Sequence, residues 1–150
     1  MKISTRGRYG LRAMIDLAVN QRSKAIPLRE ISERQNISEQ YLEQLFASLR
    51  KAGLVNSVRG AHGGYVLNYK PEKITVGDII RTLEGPIAPV DCVLEKSEEC
   101  KMIDSCVTKE VWDKIKDNIN EVLDSITLDE LKEKTLAMKE DKTDGLMYHI

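Results

Sequence analysis

Apolar residues recur every three or four positions along most of this chain, a spacing that predicts helices, and alternate only briefly near its middle. Leu11, Met14, Ile15 and Ala18 mark an amphipathic helix from Tyr9 to Val19, with Arg6, Arg8 and Arg12 near its start and placed to lie over a polyanion backbone. Pro27 suits a first helical turn, so a short helix follows it, burying Leu28 and Ile31 and ending around Gln35 and Asn36. Ser38 is a good N-cap for a third helix whose stripe is Leu42, Leu45, Phe46 and Leu49; it reaches about Ala52 and Gly53 stops it.

The pattern then changes period. Leu54 to Val58 reads as a strand, Arg59-Gly60-Ala61-His62-Gly63-Gly64 as a turn and Tyr65-Val66-Leu67 as a returning strand. Thr75-Val76-Gly77-Asp78 is a variant capping box opening a helix through Leu83 and Glu84 that Gly85 closes, its apolar residues completing the core of the head. Pro86 and Pro89 make a stiff connection. Val111, Trp112, Ile115, Ile119, Val122 and Ile126 then form a long narrow stripe on a helix from about Lys109 to Ser125. That stripe is either a pairing seam for a second copy or a face packed on the chain's own head. Thr127-Leu128-Asp129-Glu130 caps a short helix through about Leu136, and the remainder is polar until Leu146-Met147-Tyr148-His149-Ile150.

These elements predict a mainly α fold with a small β-hairpin wing: a winged helix-turn-helix with a long C-terminal dimerisation helix. Residues 1–85 form the winged head, 86–108 a linker and cysteine loop, 109–136 the dimerisation helix with the short helix after it, and 137–150 a tail. The turn is Gln35-Asn36-Ile37, where Asn36 tolerates the left-handed backbone a tight turn prefers. Ser38, Gln40, Tyr41, Glu43 and Gln44 lie on the outer face of the third helix, and these types hydrogen-bond base edges or phosphates. A plain helical hairpin with a polar outer face has the same pattern. The hairpin that follows favours the nucleic-acid reading: its glycines let the tip approach a backbone closely, and Arg59 at its base can enter a narrow minor groove. His62 is a phosphate neighbour or a bystander rather than a metal ligand.

Charge sharpens this. The net charge of -1 conceals 12 Lys/Arg against 5 Asp/Glu in residues 1 to 70 and 11 against 19 in the rest, +7 against -8. A basic half attracts polyanions by releasing their counterions, and an acidic half resists wrapping around the same polyanion. The basic start lacks an apolar core of signal-peptide length and no run approaches the ~18 apolar residues that span a bilayer, so a cytoplasmic location without membrane contact is expected. Two histidines, His62 and His149, in separate contexts give no triad or metal-hydrolase spacing, so catalysis is not expected.

The three cysteines, Cys92, Cys100 and Cys106, all fall within one short acidic stretch. Three thiols cannot all be consumed in intrachain disulfides, whereas three thiolates and one further donor complete a four-coordinate metal or cluster site. Zinc or an iron-sulfur cluster would satisfy that count.

Lys2-Ile3-Ser4-Thr5-Arg6-Gly7-Arg8-Tyr9-Gly10, Ile31-Ser32-Glu33-Arg34-Gln35, Tyr41-Leu42-Glu43-Gln44-Leu45, Gly53-Leu54-Val55 and Val58-Arg59-Gly60 with Gly63-Gly64-Tyr65 resemble, in order and spacing, the Rrf-type winged-helix regulators. The resemblance runs nearly end to end. It implies a homodimeric transcription factor gripping an operator in double-stranded DNA, with Ser38, Gln40, Tyr41, Glu43, Gln44 and Arg59 where relatives contact DNA. Glu43 falls where operator types are discriminated. The match is closest to the family's iron-sulfur cluster regulators, which implies a [2Fe-2S] cluster on Cys92, Cys100 and Cys106 and control of cluster-biogenesis genes. Those regulators have two fewer residues between the first two cysteines, and a histidine ligand where this chain has Lys109. Lysine must lose a proton from a pKa near ~10 to ligate, so the fourth donor is open among Asp91, Asp104, Glu110, the other subunit or a bound thiol. Gly85-Pro86-Ile87-Ala88-Pro89-Val90 and the Met147-Tyr148-His149-Ile150 ending resemble instead the family's cysteine-metabolism repressors, which imply a cluster-free alternative acting through a partner protein of cysteine metabolism.

Overall fold

The computed structural model describes residues 1–94 and 106–148. The head is built from α1 (Thr5–Asn20), α2 (Leu28–Gln35), α3 (Glu39–Lys51), an antiparallel hairpin of β1 (Val55–Val58) and β2 (Gly64–Leu67), and α4 (Val76–Glu84). A 3₁₀ turn at Asp91–Val93 leads toward α5 (Thr108–Ser125), and α6 (Leu128–Tyr148) follows. This is the mainly helical winged architecture that the apolar periodicity predicts.

α1 begins four residues before Tyr9. Ser4 caps it by accepting from the Arg6 N–H at 3.2 Å, and Glu84 at the end of α4 accepts from the Ser4 N–H at 2.8 Å and the Gly7 N–H at 3.0 Å. Gly7 and Gly10 allow this approach: a Cβ on Gly10 would collide with Leu83, and one on Gly7 with Glu84. Two helical glycines each cost about 1 kcal/mol of intrinsic propensity, and close packing of α1 on α4 is what they permit.

Ala13, Met14, Leu17, Ile31, Leu42, Leu45, Phe46, Leu49, Val55 and Ile79 pack into one core with Leu128, which lies at the start of α6 and is fully buried. Leu128 is carried there by a short bridge, Val76 N–H to Ile126 carbonyl at 2.9 Å and Leu128 N–H to Ile74 carbonyl at 2.8 Å. The stripe on α5 divides accordingly. Ile119, Leu123 and Ile126 pack against Val76 and Ile80 of the head and Ile87 just after it, while Val111, Ile115 and Val122 stay 48%, 37% and 57% exposed. Arg81 reinforces the inner face, donating to Asn120 Oδ1 at 2.8 Å and pairing with Asp124.

The helix from Leu128 does not stop near Leu136. It continues to Tyr148, so a polar tail from 137 is corrected to helix. Lys, Glu, Ala and Met are good helix formers and no Gly or Pro interrupts them before Gly145; polarity by itself does not end a helix. No helix among the described residues is long and apolar enough to cross a membrane.

Candidate nucleic-acid interface and cysteine site

The turn between α2 and α3 is held by Asn36, at φ 54° and ψ 48°, and by the Ser32 hydroxyl donating to the Ile37 carbonyl at 2.6 Å. Arg34 and Gln35 reach back to the buried Asp16 of α1, and Arg12 donates to the Gln35 carbonyl at 2.6 Å while lying over the Tyr9 ring. Arg12 is therefore committed to the turn. Arg6 is committed as well, to the Leu83 carbonyl and Ser48, both at 3.3 Å. Of the three arginines expected over a backbone, Arg8 alone is exposed with a side chain that makes no hydrogen bond or ion pair among the described residues.

On α3, Ser38 is spent partly on capping, accepting from the Tyr41 N–H at 3.1 Å. Tyr41 is half-buried, its hydroxyl 3.3 Å from Thr5 Oγ1 and its ring edge-on to Tyr9 at 6.1 Å, so it is pinned to α1 and presents only part of itself outward. Gln40, Glu43 and Gln44 are exposed, their side chains free of hydrogen bonds and ion pairs among the described residues. Arg59 and His62 stand exposed on the wing.

The wing is fixed at its root. Ile26 exchanges both backbone hydrogen bonds with Tyr65, at 3.0 and 2.9 Å, and the Tyr65 ring lies 4.9 Å from that of Phe46 on α3. Gly64, at φ 151°, has no room for a Cβ against the Ile26 and Pro27 backbone. The pairing of Ile26 with the wing is not legible in the sequence, because one isolated bridge has no alternation to announce it. It orients the wing relative to α3, so that Arg59 and the outer face of α3 belong to one rigid head.

Cys92 is half-buried in the Asp91–Val93 turn and Cys106 is half-buried just before α5; Cys100 and Asp104 lie outside the described residues. Lys116 of α5 donates to the Val93 carbonyl at 3.0 Å. Lys109 pairs with Asp113 at 2.8 Å, and its ammonium feels both Cys92 and Cys106. Asp113 is the main reason that Lys109 is held protonated above its ordinary range, with the two sulfurs adding to it. The Thr108 hydroxyl, 3.1 Å from Cys106 Sγ, backbone N–H groups and Lys109 hold the Cys106 thiol below its ordinary value. Among the described residues no three His, Cys, Asp or Glu side chains gather as a metal site. The donor chemistry nonetheless fits an iron-sulfur group: two soft sulfurs lie within electrostatic reach of one ammonium, and Asp91 and Glu110, near them in sequence, are exposed oxygen donors. Lys109, ion-paired and protonated, has no lone pair to offer a metal.

A family model described as Rrf2, iron-dependent transcriptional regulator, matches residues 3–134. The regulator CymR of Bacillus subtilis is 53% identical over 135 residues, 90% of this chain and 92% of that protein. Its solved structure, described as that of the global cysteine regulator, superposes with a TM-score of 0.73 over 89% of this chain and 98% of that one, at 51% identity. The regulator IscR of Pectobacterium atrosepticum is 44% identical over 131 residues, 87% of this chain and 79% of its own length. The structure of T. potens IscR gives a TM-score of 0.72 at 50% identity, covering 90% of this chain and 88% of that one.

Proposed function

This chain belongs to the Rrf2 family of iron-dependent transcriptional regulators, and we propose that it binds operator DNA as a homodimer whose affinity depends on a [2Fe-2S] cluster held by Cys92, Cys100 and Cys106. Gln40, Glu43 and Gln44 read the major groove, Ser38 and Tyr41 set the start of the reading helix, and Arg59 enters the adjacent minor groove. The exposed Val111, Ile115 and Val122 meet a second copy, which places two heads over two half-sites.

The observation that carries the cluster reading is that the Cys92 turn and Cys106 both attach to the first turns of α5, through Lys116 on the Val93 carbonyl at 3.0 Å and the Lys109 N–H on the Cys106 carbonyl at 3.3 Å. Such a group supplies a redox-active, oxygen-labile centre. The chain's own contribution is to bring the sulfurs together against α5, the helix that Arg81 and Ile119 tie to the head. Occupancy of the loop then alters how the heads are presented, and a coupling of ~1–3 kcal/mol suffices for useful switching. Genes of iron-sulfur cluster assembly are the corresponding targets.

Anaerobic purification followed by iron and sulfide counts and absorption and paramagnetic resonance spectra tests the cluster. Operator binding by the loaded chain and by Cys92→Ala then tests the switch; identical affinities at several operators remove it.

A second reading is favoured by the 53% identity to CymR and by Lys109, whose ion pair removes one donor position. In it the chain is a cluster-free repressor of cysteine metabolism that acts through a protein partner from that metabolism. A colourless chain lacking iron and sulfide after reconstitution, but still binding DNA, selects it; zinc in place of iron identifies a structural metal instead.

A further inference from the structure

Three charged side chains on the first turns of α5 link the two described cysteines. Lys116 Nζ holds the Val93 carbonyl at 3.0 Å and so fixes the turn that carries Cys92. Asp113 faces Lys116 through Oδ1 at 3.8 Å and accepts from Lys109 through Oδ2 at 2.8 Å. The Lys109 N–H donates to the Cys106 carbonyl at 3.3 Å, and its ammonium, on Asp113, lies within electrostatic reach of both cysteines. An unbroken series of polar contacts therefore runs from the Cys92 turn through Lys116, Asp113 and Lys109 to Cys106.

Helix-surface ion pairs by themselves contribute only a few tenths of a kcal/mol. These differ in what their lysines touch. Lys116 reaches a carbonyl outside its own helix, and Lys109 holds the Cys106 carbonyl through its N–H while its ammonium lies within electrostatic reach of both cysteines. Gathering thiolates concentrates negative charge, which a neighbouring ammonium offsets. Charge and donors near cluster sulfurs also set the reduction potential, and residues that orient ligands are worth about ten- to a hundredfold in metal affinity.

We infer that Lys109, Asp113 and Lys116 are positioning residues of the cysteine site: Lys116 sets the Cys92 turn, Lys109 places positive charge beside the two sulfurs, and Asp113 orients both lysines. This rests on the proposed cluster reading. Lys109 acts electrostatically and not as a ligand, so the chain departs from histidine ligation by exchanging a donor for a counter-charge.

The test uses the full chain reconstituted anaerobically with ferrous iron and sulfide, alongside Asp113→Asn, Asp113→Glu and Lys109→Gln, with unfolding of each unloaded variant as a folding control. Asp113→Asn is expected to release iron to a chelator about ten- to a hundredfold faster, and Asp113→Glu to recover most of the loss. Lys109→Gln is expected to keep its iron and sulfide count but to move to a lower midpoint potential, a shift that a merely structural lysine would not cause. Wild-type release from Asp113→Asn, or a wild-type potential in Lys109→Gln, overturns the inference and leaves the cluster intact. A wild-type chain that takes up neither iron nor sulfide overturns the cluster reading and this inference with it.

Discussion

Arg34 donates to both carboxylate oxygens of Asp16, Nε to Oδ2 at 3.0 Å and Nη2 to Oδ1 at 2.8 Å, and so ties the helix before the turn to the middle of α1. Asp16 is 4% exposed and takes further bonds from Gln35 and Asn20. Removing Arg34 leaves a buried carboxylate short of its counter-charge. A fully buried pair broken this way costs about 3–5 kcal/mol; since Arg34 is itself 34% exposed and two other donors remain, Arg34→Ala is expected to cost about 2 kcal/mol. Urea unfolding measures it, and a loss under about 0.5 kcal/mol would make the pair an ordinary surface one.

Arg59 makes no hydrogen bond or ion pair among the described residues, so its removal should not touch stability. Arg59→Ala is expected to weaken specific operator binding by ~1–3 kcal/mol with an unchanged melting temperature. Titration of labelled operator at fixed salt decides; an unaltered Kd excludes the wing from recognition.

The two faces of α5 make opposite predictions. Ile119 packs on Val76, Ile80 and Ile87, so Ile119→Ala should destabilise the head by about 1–3 kcal/mol while preserving the assembly. Val122 is 57% exposed, so Val122→Glu should leave the fold intact and convert the proposed dimer to monomers. Sedimentation and denaturation of both variants separate the faces. A dimeric Val122→Glu chain at micromolar concentration would move the interface elsewhere.

Glu84 gives a pH dependence of known sign. Partial burial pushes its carboxyl up, but the Ser4 hydroxyl and the Gly7 and Ser4 N–H groups outweigh that and hold it below its ordinary value. A depressed folded pKa contributes stability that is present above the unfolded value of ~4.3 and fades as pH falls through the lower folded one. Glu84→Gln should therefore flatten the acid limb of stability below about pH 4.5. Melting temperatures from pH 3 to 7 check this, and parallel curves for the two proteins would show that the carboxylate contributes nothing there.

Local chemistry was legible where a residue acts on its own neighbours. Asn36 takes the left-handed turn, Ser38 caps α3, and Thr75 with Asp78 closes a full capping box, each within a few positions of the backbone it serves. What could not be read depends on partners far along the chain. The early start of α1 needs Glu84, 80 residues from Ser4, and the division of the α5 stripe needs Val76 and Ile80 of α4. Arg6 and Arg12 looked available because nothing local consumes them; Leu83, Ser48 and Gln35 do. At the cysteines, sequence gives the donor count and the helix-spaced pairs of Asp113 with Lys109 and Lys116, whereas the hold of Lys116 on Val93 emerges only when the Asp91–Val93 turn docks on α5.

α4 has a grip at either end: the Val76 N–H holds the carbonyl of Ile126, just past α5, and Glu84 holds Ser4 and Gly7 at the start of α1. Nine helical residues span only about 13 Å and do not stretch. The helix is thus a connecting rod, with the end of α5 geared to one end and the Thr5–Tyr41 junction to the other. A nudge of an ångström at the first would be conveyed to the second with little slack to absorb it.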